Sequence, residues 1–436
     1  MNDTPTSASV ERRDFLKSTA LGGAAIVLPG AFVSAAEKDS DSERVVVGVM
    51  GLSRGRSLAT TFARQPNVTV KYLCDVDETR RASCMDLISK MDGQEPESIG
   101  DFRKILDDPE VDALVCAAPN HWHAPATILG CQAGKHVYVE KPCSHNPREG
   151  ELMIEAARKH KRAVQMGTQR RSGIGITEAM KAIHSGAIGD VYYSRGWYAN
   201  IRGSIGVGQP AEVPAQLDFE LWQGPAPRVQ YIDNLVHYNW HWRWDWGNGE
   251  LGNNGVHALD LCRWGLGVEY PTRVTSSGGR YAFDDDQQTP DTHIVNFEFP
   301  GGKQAMWEGL SCNRMGVNRS GFGVTFHGQD GTIELTDGGF VQYDKRGKEL
   351  KKVGGNRGDN EHIANFVSAI RQDDPSILNQ GIESAHKSTL LCHLGNIAHR
   401  TGRALNCSPE NGHIQGDKEA ASLWAREYAN GWEPTV

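Results

Sequence analysis

The 436-residue sequence lacks a strong excess of charge of either sign. Its 46 lysines and arginines face 54 aspartates and glutamates, so the net charge is −8, and no acidic or basic tail concentrates it. A weakly acidic chain argues against nucleic acid or an anionic membrane as the main partner. The contents of 39% hydrophobic and 23% charged residues are typical of a globular chain and exclude a disordered one.

Regularly spaced cysteines are also missing. The nine cysteines form an odd set without a C-x-x-C pair, which argues against a disulfide framework. Cys74, Cys116 and Cys262 lie in apolar runs, and we expect them to be small buried side chains. No internal repeat or low-complexity segment is present, so the length predicts two domains, or three small ones.

The first 36 residues do not read as part of a globular fold. Residues 11–17, Glu-Arg-Arg-Asp-Phe-Leu-Lys, precede a mildly apolar stretch and then small residues at 33–36. This order is typical of a twin-arginine export signal and predicts a periplasmic protein, although a chance basic start before a core helix is the alternative. The stretch is too short and too rich in glycine for a membrane span. We expect a signal peptide over 1–36 and a linker over 37–43.

Two patterns of secondary structure follow. Strands and helices alternate over 44–168, and the strands are continuous apolar runs such as 44–50, which predicts a Rossmann doubly wound parallel sheet. Over 169–405, longer strands alternate polar and apolar residues between glycine turns, which predicts a second domain with a large open, mostly antiparallel sheet. The fold class is therefore α/β plus α+β, with 406–436 as a C-terminal segment.

The first predicted strand leads into a turn typical of dinucleotide binding. Residues 51–55 form a turn, in which Gly51 permits a sharp bend and Ser53 and Arg54 are predicted to bind the cofactor. A helix follows, and Asp75 comes after the second strand where a carboxylate would bind ribose hydroxyls. Ser53 replaces the second glycine of the usual fingerprint, so a doubly wound sheet without a dinucleotide is the alternative. Asp75 favours NAD over NADP, but NADP is not excluded because arginines lie nearby, at positions 54, 56, 80 and 81.

Several motifs appear in one order along the chain. They are G-V-M-G at 48–51, P-N-H-W-H at 119–123, E-K-P at 140–142, G-V-H-A-L-D at 255–260 and L-G-N-I-A at 394–398. In this order the chain resembles the glucose–fructose oxidoreductase and inositol dehydrogenase family (Gfo/Idh/MocA), and its W-x-W-x-W-G-N-G segment is similar to that of an exported bacterial branch. The resemblance implies NAD(P)-dependent oxidation of a sugar, glycoside or polyol by a homodimer or homotetramer.

The resemblance also assigns roles to individual residues. Pro119, Asn120 and His123 would line the nicotinamide side of the site, and Glu140 the cofactor end of the pocket. Lys141 would lie between nicotinamide and substrate, before a cis peptide bond to proline.

His257 would be the catalytic histidine. The family often has an aspartate four residues earlier, where this chain has Asn253. Because an amide does not exchange protons, acid–base chemistry would be left to Lys141 and His257, with Asn253 orienting a hydroxyl.

Hydride transfer from a carbinol needs a group that takes the hydroxyl proton. A lysine at the end of an apolar strand, beside a cationic nicotinamide, should have a lowered pKa and could be that base. The alternatives are a solvent-exposed Lys141 and a His257 that is simply buried at a helix start.

A tryptophan-rich region completes the predicted site. Flat apolar faces among polar groups are typical of a sugar-binding surface, although a structural loop or a subunit contact is the alternative. Six of the eleven tryptophans fall in this region: Trp222, Trp240, Trp242, Trp244, Trp246 and Trp264. The predicted substrate-binding residues are Gln169, Arg170, His241, Trp242, Asn253 and His257.

No metal site is predicted. His237 and His241 are four residues apart, but the alternating tryptophans predict an extended segment in which they would not share one ion.

Three functions remain open from the sequence. The first is a dehydrogenase. The second is a redox-neutral NAD-dependent glycosidase or epimerase that retains its cofactor, favoured because an exported enzyme has no assured supply of nicotinamide. The third is a non-catalytic carbohydrate- or partner-binding protein, suggested by Asn253 and the imperfect glycine turn.

Overall fold

The computed structural model describes residues 43–436, and the predicted signal peptide lies outside these described residues. Two sheets organise this part of the chain. The first has six parallel strands: β1 (Val45–Met50), β2 (Val68–Cys74), β3 (Glu97–Ile99), β4 (Ala113–Cys116), β5 (His136–Val139) and β6 (Val164–Met166). Its helices are α1 (Arg54–Ala63), α2 (Glu78–Ile88), α3 (Arg103–Asp107), α4 (Asn120–Gln132) and α5 (Pro147–His160).

The first sheet lies between two apolar layers, as the continuous apolar strands predict. Its strand order is β3-β2-β1-β4-β5-β6, the arrangement of a doubly wound dinucleotide-binding domain. Every residue of β1 is buried; Val45, Val47 and Val49 pack into one apolar cluster, while Val46 and Met50 pack into the other. The parallel strands place their carboxyl ends together at one edge of the sheet.

The second sheet has ten strands. They are β7 (Val191–Ala199), β8 (Arg273–Gly279), β9 (Thr292–Phe299), β10 (Lys303–Leu310), β11 (Phe322–Gly328), β12 (Gly331–Leu335), β13 (Phe340–Asp344), β14 (Glu349–Val353), β15 (Leu405–Cys407) and β16 (Ile414–Gln415). The helices of this region are α6 (Ile174–His184), α7 (Phe219–Gln223), α8 (Val256–Leu266), α9 (Asp359–Arg371), α10 (Ile382–Thr401) and α11 (Lys418–Ser422).

This sheet is mostly antiparallel, as predicted, in the order β14-β13-β12-β11-β7-β10-β9-β8-β15-β16, and β7 and β10 pair in parallel. Its strands alternate buried and more exposed residues, for example Ala305 and Trp307 against Gln304 and Met306. The packing of α8 on β7 is close, because a Cβ on Gly196 would lie 2.7 Å from the Cβ of Ala258.

Helix α4 begins at Asn120 and contains Pro125 in its interior. A proline inside a helix leaves the carbonyl four residues earlier without its usual donor. That carbonyl, on His121, accepts a hydrogen bond from Arg426 Nη2 at 2.8 Å. A contact from the distant C-terminal segment therefore replaces the hydrogen bond that the proline removes. No local sequence pattern indicates this contact.

The nine cysteines all lie among the described residues and all are free, including the buried Cys74, Cys116 and Cys262. Within residues 43–436, no helix combines the length and apolar character needed to cross a membrane.

Candidate active site

The carboxyl edge of the first sheet begins with the glycine turn between β1 and α1. Gly51 has φ of 85°, and a Cβ there would lie 2.5 Å from the amide nitrogen of Ala118. Only glycine therefore allows this turn to approach the end of β4. Helix α1 starts without a side-chain cap or an acidic residue in its first turn. Its free N–H groups suit an anionic group such as a pyrophosphate.

Asp75 follows β2 at the next position along this edge. Its carboxylate accepts hydrogen bonds from the backbone N–H groups of Leu52, at 2.7 Å, and Asp77, at 3.0 Å. Burial raises the pKa of Asp75, and the two backbone N–H groups oppose that shift. The carboxylate is therefore fixed against the glycine turn, in the position that a ribose-binding acid occupies in this type of domain.

A cavity of about 340 Å³ lies along the edge. All nine predicted cofactor-binding residues line it: Gly51, Ser53, Arg54, Asp75, Pro119, Asn120, His123, Glu140 and Lys141. Of the predicted substrate-binding residues, Gln169, His241, Asn253 and His257 also line it. We call this space the coenzyme cavity, because its glycine turn, free helix start and fixed carboxylate fit a dinucleotide.

Glu140 lies at the end of β5 and serves as an anchor. Its Oε1 accepts a hydrogen bond from Arg54 Nε at 2.9 Å, and its Oε2 accepts one from the backbone N–H of Lys141 at 3.2 Å. Arg54 also pairs with Asp359 at 3.1 Å. The Glu140 carboxylate is the main cause that raises the pKa of Arg54. These contacts connect the start of α1 to the turn that carries Lys141.

Lys141 precedes a cis peptide bond to Pro142, as predicted. Its Nζ donates to two oxygens of Asn253, the backbone carbonyl at 2.7 Å and Oδ1 at 3.1 Å. Asn253 lies in a π-helical turn, Leu251–Gly255, and such wide turns are frequent at functional sites. Burial lowers the pKa of Lys141. The lysine is therefore not a solvent-exposed one, and Asn253 contacts it directly, which sequence reasoning missed.

Three histidines surround this amine. Burial lowers the pKa of His257 well below its usual value, and its buried Nδ1 has no hydrogen-bond partner among residues 43–436. His241 has its pKa lowered to about 3, again mainly by burial, while its Nδ1 lies 2.6 Å from the Tyr238 carbonyl. Burial lowers the pKa of His123 as well. Burial therefore favours the neutral form of each ring, in which one of the two ring nitrogens carries no proton.

His123 also has a structural role. Its ring nitrogens lie 2.6 Å from the carbonyl of Pro142 and 2.8 Å from that of Ala118. A neutral ring donates to only one of these carbonyls. The ring thus links the Lys141 turn to the end of β4, and this leaves no free nitrogen for a ligand.

The prediction that the tryptophan-rich segment is extended was wrong. Asn239–Trp242 forms a 3₁₀ helix, so residues two apart do not share a face. Trp240 lines the coenzyme cavity and stacks on His241, with ring centroids 3.6 Å apart. Trp242 is buried outside the lining, with the Arg202 guanidinium 4.7 Å from its ring. The structure therefore does not place Trp242 at the cavity wall, contrary to our expectation.

His237 and His241 serve separate purposes. His237 Nε2 lies 2.9 Å from a carboxylate oxygen of Asp77, beside the coenzyme cavity that both histidines line. Among residues 43–436, no group of three or more His, Cys, Asp or Glu side chains is placed to hold a metal ion.

Arg170 lies outside the coenzyme cavity. It lines a second space of about 560 Å³, which shares Gln169 and His257 with the first. We call it the arginine cavity, because Arg314 and Arg357 also line it.

Two further residues of the site were missed. Trp122, in the first turn of α4, lines the coenzyme cavity, and its place in the P-N-H-W-H motif was a usable signal. Asn248 Oδ1 accepts a hydrogen bond from Asn120 Nδ2 at 3.1 Å. That pair joins residues 128 positions apart, so no local pattern could show it.

Comparison with known proteins agrees with this geometry. Residues 43–168 match the model of the oxidoreductase family with an NAD-binding Rossmann fold, and residues 208–334 match the GFO/IDH/MocA C-terminal domain. The chain is 22% identical over 363 residues to the uncharacterized oxidoreductase YrbE of Bacillus subtilis, a match that covers 79% of this chain and 92% of that protein.

Two other similarities are informative. Inositol 2-dehydrogenase of Salmonella typhimurium is 29% identical over 157 residues, covering 36% of this chain and 45% of that enzyme. The solved structure of aldose–aldose oxidoreductase from Caulobacter crescentus, complexed with glycerol, superposes with a TM-score of 0.63 at 20% identity, covering 83% of this chain and 99% of that one. This likeness shows a shared fold. With both domain models matched in order, the chain belongs to the GFO/IDH/MocA family of NAD-binding oxidoreductases.

Proposed function

We propose that this protein oxidises, or in reverse reduces, a hydroxyl-bearing carbon of a sugar or polyol with NAD as cofactor. The observation that carries the proposal is the buried Lys141 amine, held by Asn253 in the lining of the coenzyme cavity. The similarity to inositol 2-dehydrogenase supports a polyhydroxylated substrate. The non-catalytic alternative is less well supported, since Lys141 and His257 both line the cavity.

The residues around the amine divide the acid–base work. A nicotinamide bound in the coenzyme cavity would accept the hydride from the carbinol carbon. Lys141, with its pKa lowered by burial, takes the hydroxyl proton as the carbonyl forms. His257 is neutral and has a buried, partnerless nitrogen, so it can orient the same hydroxyl or pass the proton on. Asn253 keeps the amine in place with two acceptors that do not titrate.

A second candidate is a redox-neutral cycle with a retained cofactor, such as glycoside cleavage or epimerisation. The twin arginines at 12–13 support it through export to the periplasm, where released cofactor is lost. The contact of His237 with Asp77 supports it as well, because it fastens the tryptophan-rich segment to the Rossmann domain beside the coenzyme cavity. In this proposal Lys141 and His257 keep the same roles. For glycoside cleavage, the hydroxyl would be oxidised, the leaving group eliminated, water added in its place, and the ketone reduced by the same hydride; for epimerisation, the intermediate would be reduced back with inverted configuration and no group would leave.

We also propose a homodimer or homotetramer. The face of the second sheet away from α8 carries side chains that are only partly exposed, such as the paired Arg195 and Glu308, and we propose it as the contact between subunits.

The proposal is tested on the full chain, with no other enzyme in the assay. Binding of NADH is followed by fluorescence, and oxidation of a panel of sugars and polyols by NADH absorbance. Product mass is measured in parallel to detect redox-neutral turnover, which leaves absorbance unchanged. Saturable NADH binding with turnover of at least one polyhydroxylated substrate is the expected result. Failure to bind NADH or NADPH would contradict the whole proposal.

A further inference from the structure

The arginine cavity has an unusual balance of charge. Three arginines and a single carboxylate, that of Asp337, line it, and Tyr198 and His257 are its other ionisable residues. Its volume of about 560 Å³ is within the range of small-molecule sites, roughly 300–1,000 Å³. It also reaches His257 and Gln169, which face the coenzyme cavity as well. A substrate whose carbinol lies at Lys141 would therefore extend into a positively charged space.

The single carboxylate is already engaged. Arg357 Nε lies 2.9 and 3.0 Å from the two oxygens of Asp337, and its Nη2 makes a further contact. Arg170 reaches the same carboxylate only at 3.3 Å. Another carboxylate close by, Asp359, accepts hydrogen bonds from Arg54 at 3.1 Å and Gln169 at 3.2 Å. One carboxylate thus serves two guanidinium groups, while Arg314 adds a third charge at the exposed rim.

Arg170 is also held in place for an anion. Its guanidinium lies 4.0 Å from the ring centroid of Phe322, and its side chain is only 13% exposed. Burial of a cation is costly when its counter-ion is shared with a second cation, as Asp337 is shared with Arg357, and here burial lowers the pKa of Arg170. An oxyanion bound at its open N–H groups would recover that cost with charge-assisted hydrogen bonds.

The neighbouring Gln169 favours a neutral hydroxyl group over an anion. Its Oε1 is buried and has no hydrogen-bond partner within the described part of the chain, although its Nε2 donates to Asp359. A carbonyl oxygen of this kind accepts from a hydroxyl and repels an oxyanion. Adjacent side chains therefore select one hydroxyl and one anionic group within the same ligand.

We infer that the substrate is an acidic saccharide, with its reacting carbinol at Lys141 and a carboxylate, sulfate or phosphate at Arg170. The inference rests on the proposed function and narrows its substrate class. Arg170 and Arg314 would determine specificity and take no part in hydride transfer.

Calorimetry on the full chain, saturated with NADH, tests this. The probes are glucuronate, glucose 6-sulfate and glucose 6-phosphate, with glucose as the neutral reference, so the panel also distinguishes the three oxyanions. At least one acidic sugar should bind about 10- to 100-fold more tightly than glucose, an advantage that salt reduces. Arg170→Gln should remove most of that preference, and exposed Arg314→Gln a smaller part, with glucose binding changed little.

Arg346→Gln, an exposed substitution outside both cavities, is the matched control and should change nothing. Circular dichroism confirms that Arg170→Gln is folded; if it is not, the result for Arg314→Gln decides. Equal binding of neutral and acidic sugars, no binding of any acidic sugar, or a preference that survives both substitutions would overturn the inference while leaving the proposed function intact. Loss of NADH binding in the unmodified protein would instead refute the proposed function.

Discussion

The coenzyme cavity and the arginine cavity meet at Gln169 and His257, but backbone shapes the first and side chains shape the second. The coenzyme cavity is shaped by backbone: a glycine with φ of 85°, the end of β4 against it, and a cis peptide bond after Lys141. The arginine cavity is shaped by long charged side chains, and both Asp337 and Arg357 are about 60% exposed in their pair.

This difference predicts how each region responds to change. Backbone positions that are fixed on several sides allow little relaxation, so a substitution there should cost a large part of function at once. Exposed ion pairs contribute little to stability, about 0–1 kcal/mol each. Substitutions in the arginine cavity should therefore leave the fold stable and change substrate specificity gradually. The following predictions test this contrast, from the largest expected effect to the smallest.

Lys141→Ala should lower the turnover rate most, by about 10³-fold, since a positioned acid–base group typically contributes 10²- to 10⁴-fold. The measurement is the rate with a substrate identified by the panel, together with NADH affinity to show that the coenzyme cavity persists. Lys135, at the other end of β5, is a matched control because it is also buried and its Nζ donates to the carbonyls of Asp108 and Val111. Lys135→Ala should reduce stability and leave turnover per folded molecule nearly unchanged. Equal turnover by both variants would remove Lys141 from the mechanism.

Gly51→Ala should weaken NADH binding about 100-fold and destabilise the fold by about 2–4 kcal/mol. The added Cβ would lie 2.5 Å from the amide nitrogen of Ala118, in addition to the strain of a positive φ. Gly134 is a matched control, with φ of 77° and open space around the missing Cβ. Gly134→Ala should cost only the backbone strain, about 1–2 kcal/mol, and leave NADH binding unchanged. NADH titration and chemical unfolding measure both effects, and similar behaviour of the two variants would contradict the role of close approach.

Asn253→Asp should shift the pH dependence of oxidation. The base must be unprotonated, so kcat/KM rises with pH until the Lys141 amine has lost its proton. A carboxylate in place of Oδ1, 3.1 Å from Nζ, favours the ammonium form and raises the pKa of Lys141. The rising limb should move to higher pH by about one unit, with rates near pH 7 about 10-fold lower.

Asn253→Ala should shift the pH dependence of oxidation in the opposite direction. It removes one acceptor of the ammonium group but keeps the backbone carbonyl at 2.7 Å, so the limb should move to lower pH by a smaller amount. Unshifted profiles in both variants would show that Lys141 is not the titrating base.

The two regions also differ in how far the sequence predicts them. The nine cofactor-binding residues could be predicted because each of them follows a strand of one parallel sheet, and such strand ends necessarily meet at one edge. Asp75 after β2 and Lys141 after β5 are examples, and both line the cavity. Strand periodicity likewise predicted the mostly antiparallel second sheet.

The substrate side depends on irregular turns whose shape is set by distant contacts. The 3₁₀ helix at Asn239–Trp242 places Trp240 at the cavity and Trp242 outside it, contrary to the alternation assumed for a strand. The wide turn at Leu251–Gly255 places the Asn253 carbonyl on Lys141, and Arg170 meets Asp337 across 167 positions of sequence. None of these three arrangements leaves a periodic pattern in the sequence, because tertiary packing supplies the free energy that stabilises them.

His237→Ala should have the smallest effect, and it tests whether the irregular side stabilises the coenzyme. The ring contacts Asp77 at 2.9 Å, yet Asp77 also caps α2 through the backbone N–H groups of Thr79 and Arg80, so the helix start should survive. Loss of one hydrogen bond should speed NADH release about 3-fold, as measured by stopped-flow fluorescence. His413→Ala, which removes a similar contact to Glu151 at 2.8 Å, is the control and should not alter release. If release is unchanged in His237→Ala, the tryptophan-rich segment does not retain the cofactor, and the argument for a redox-neutral cycle loses its structural support.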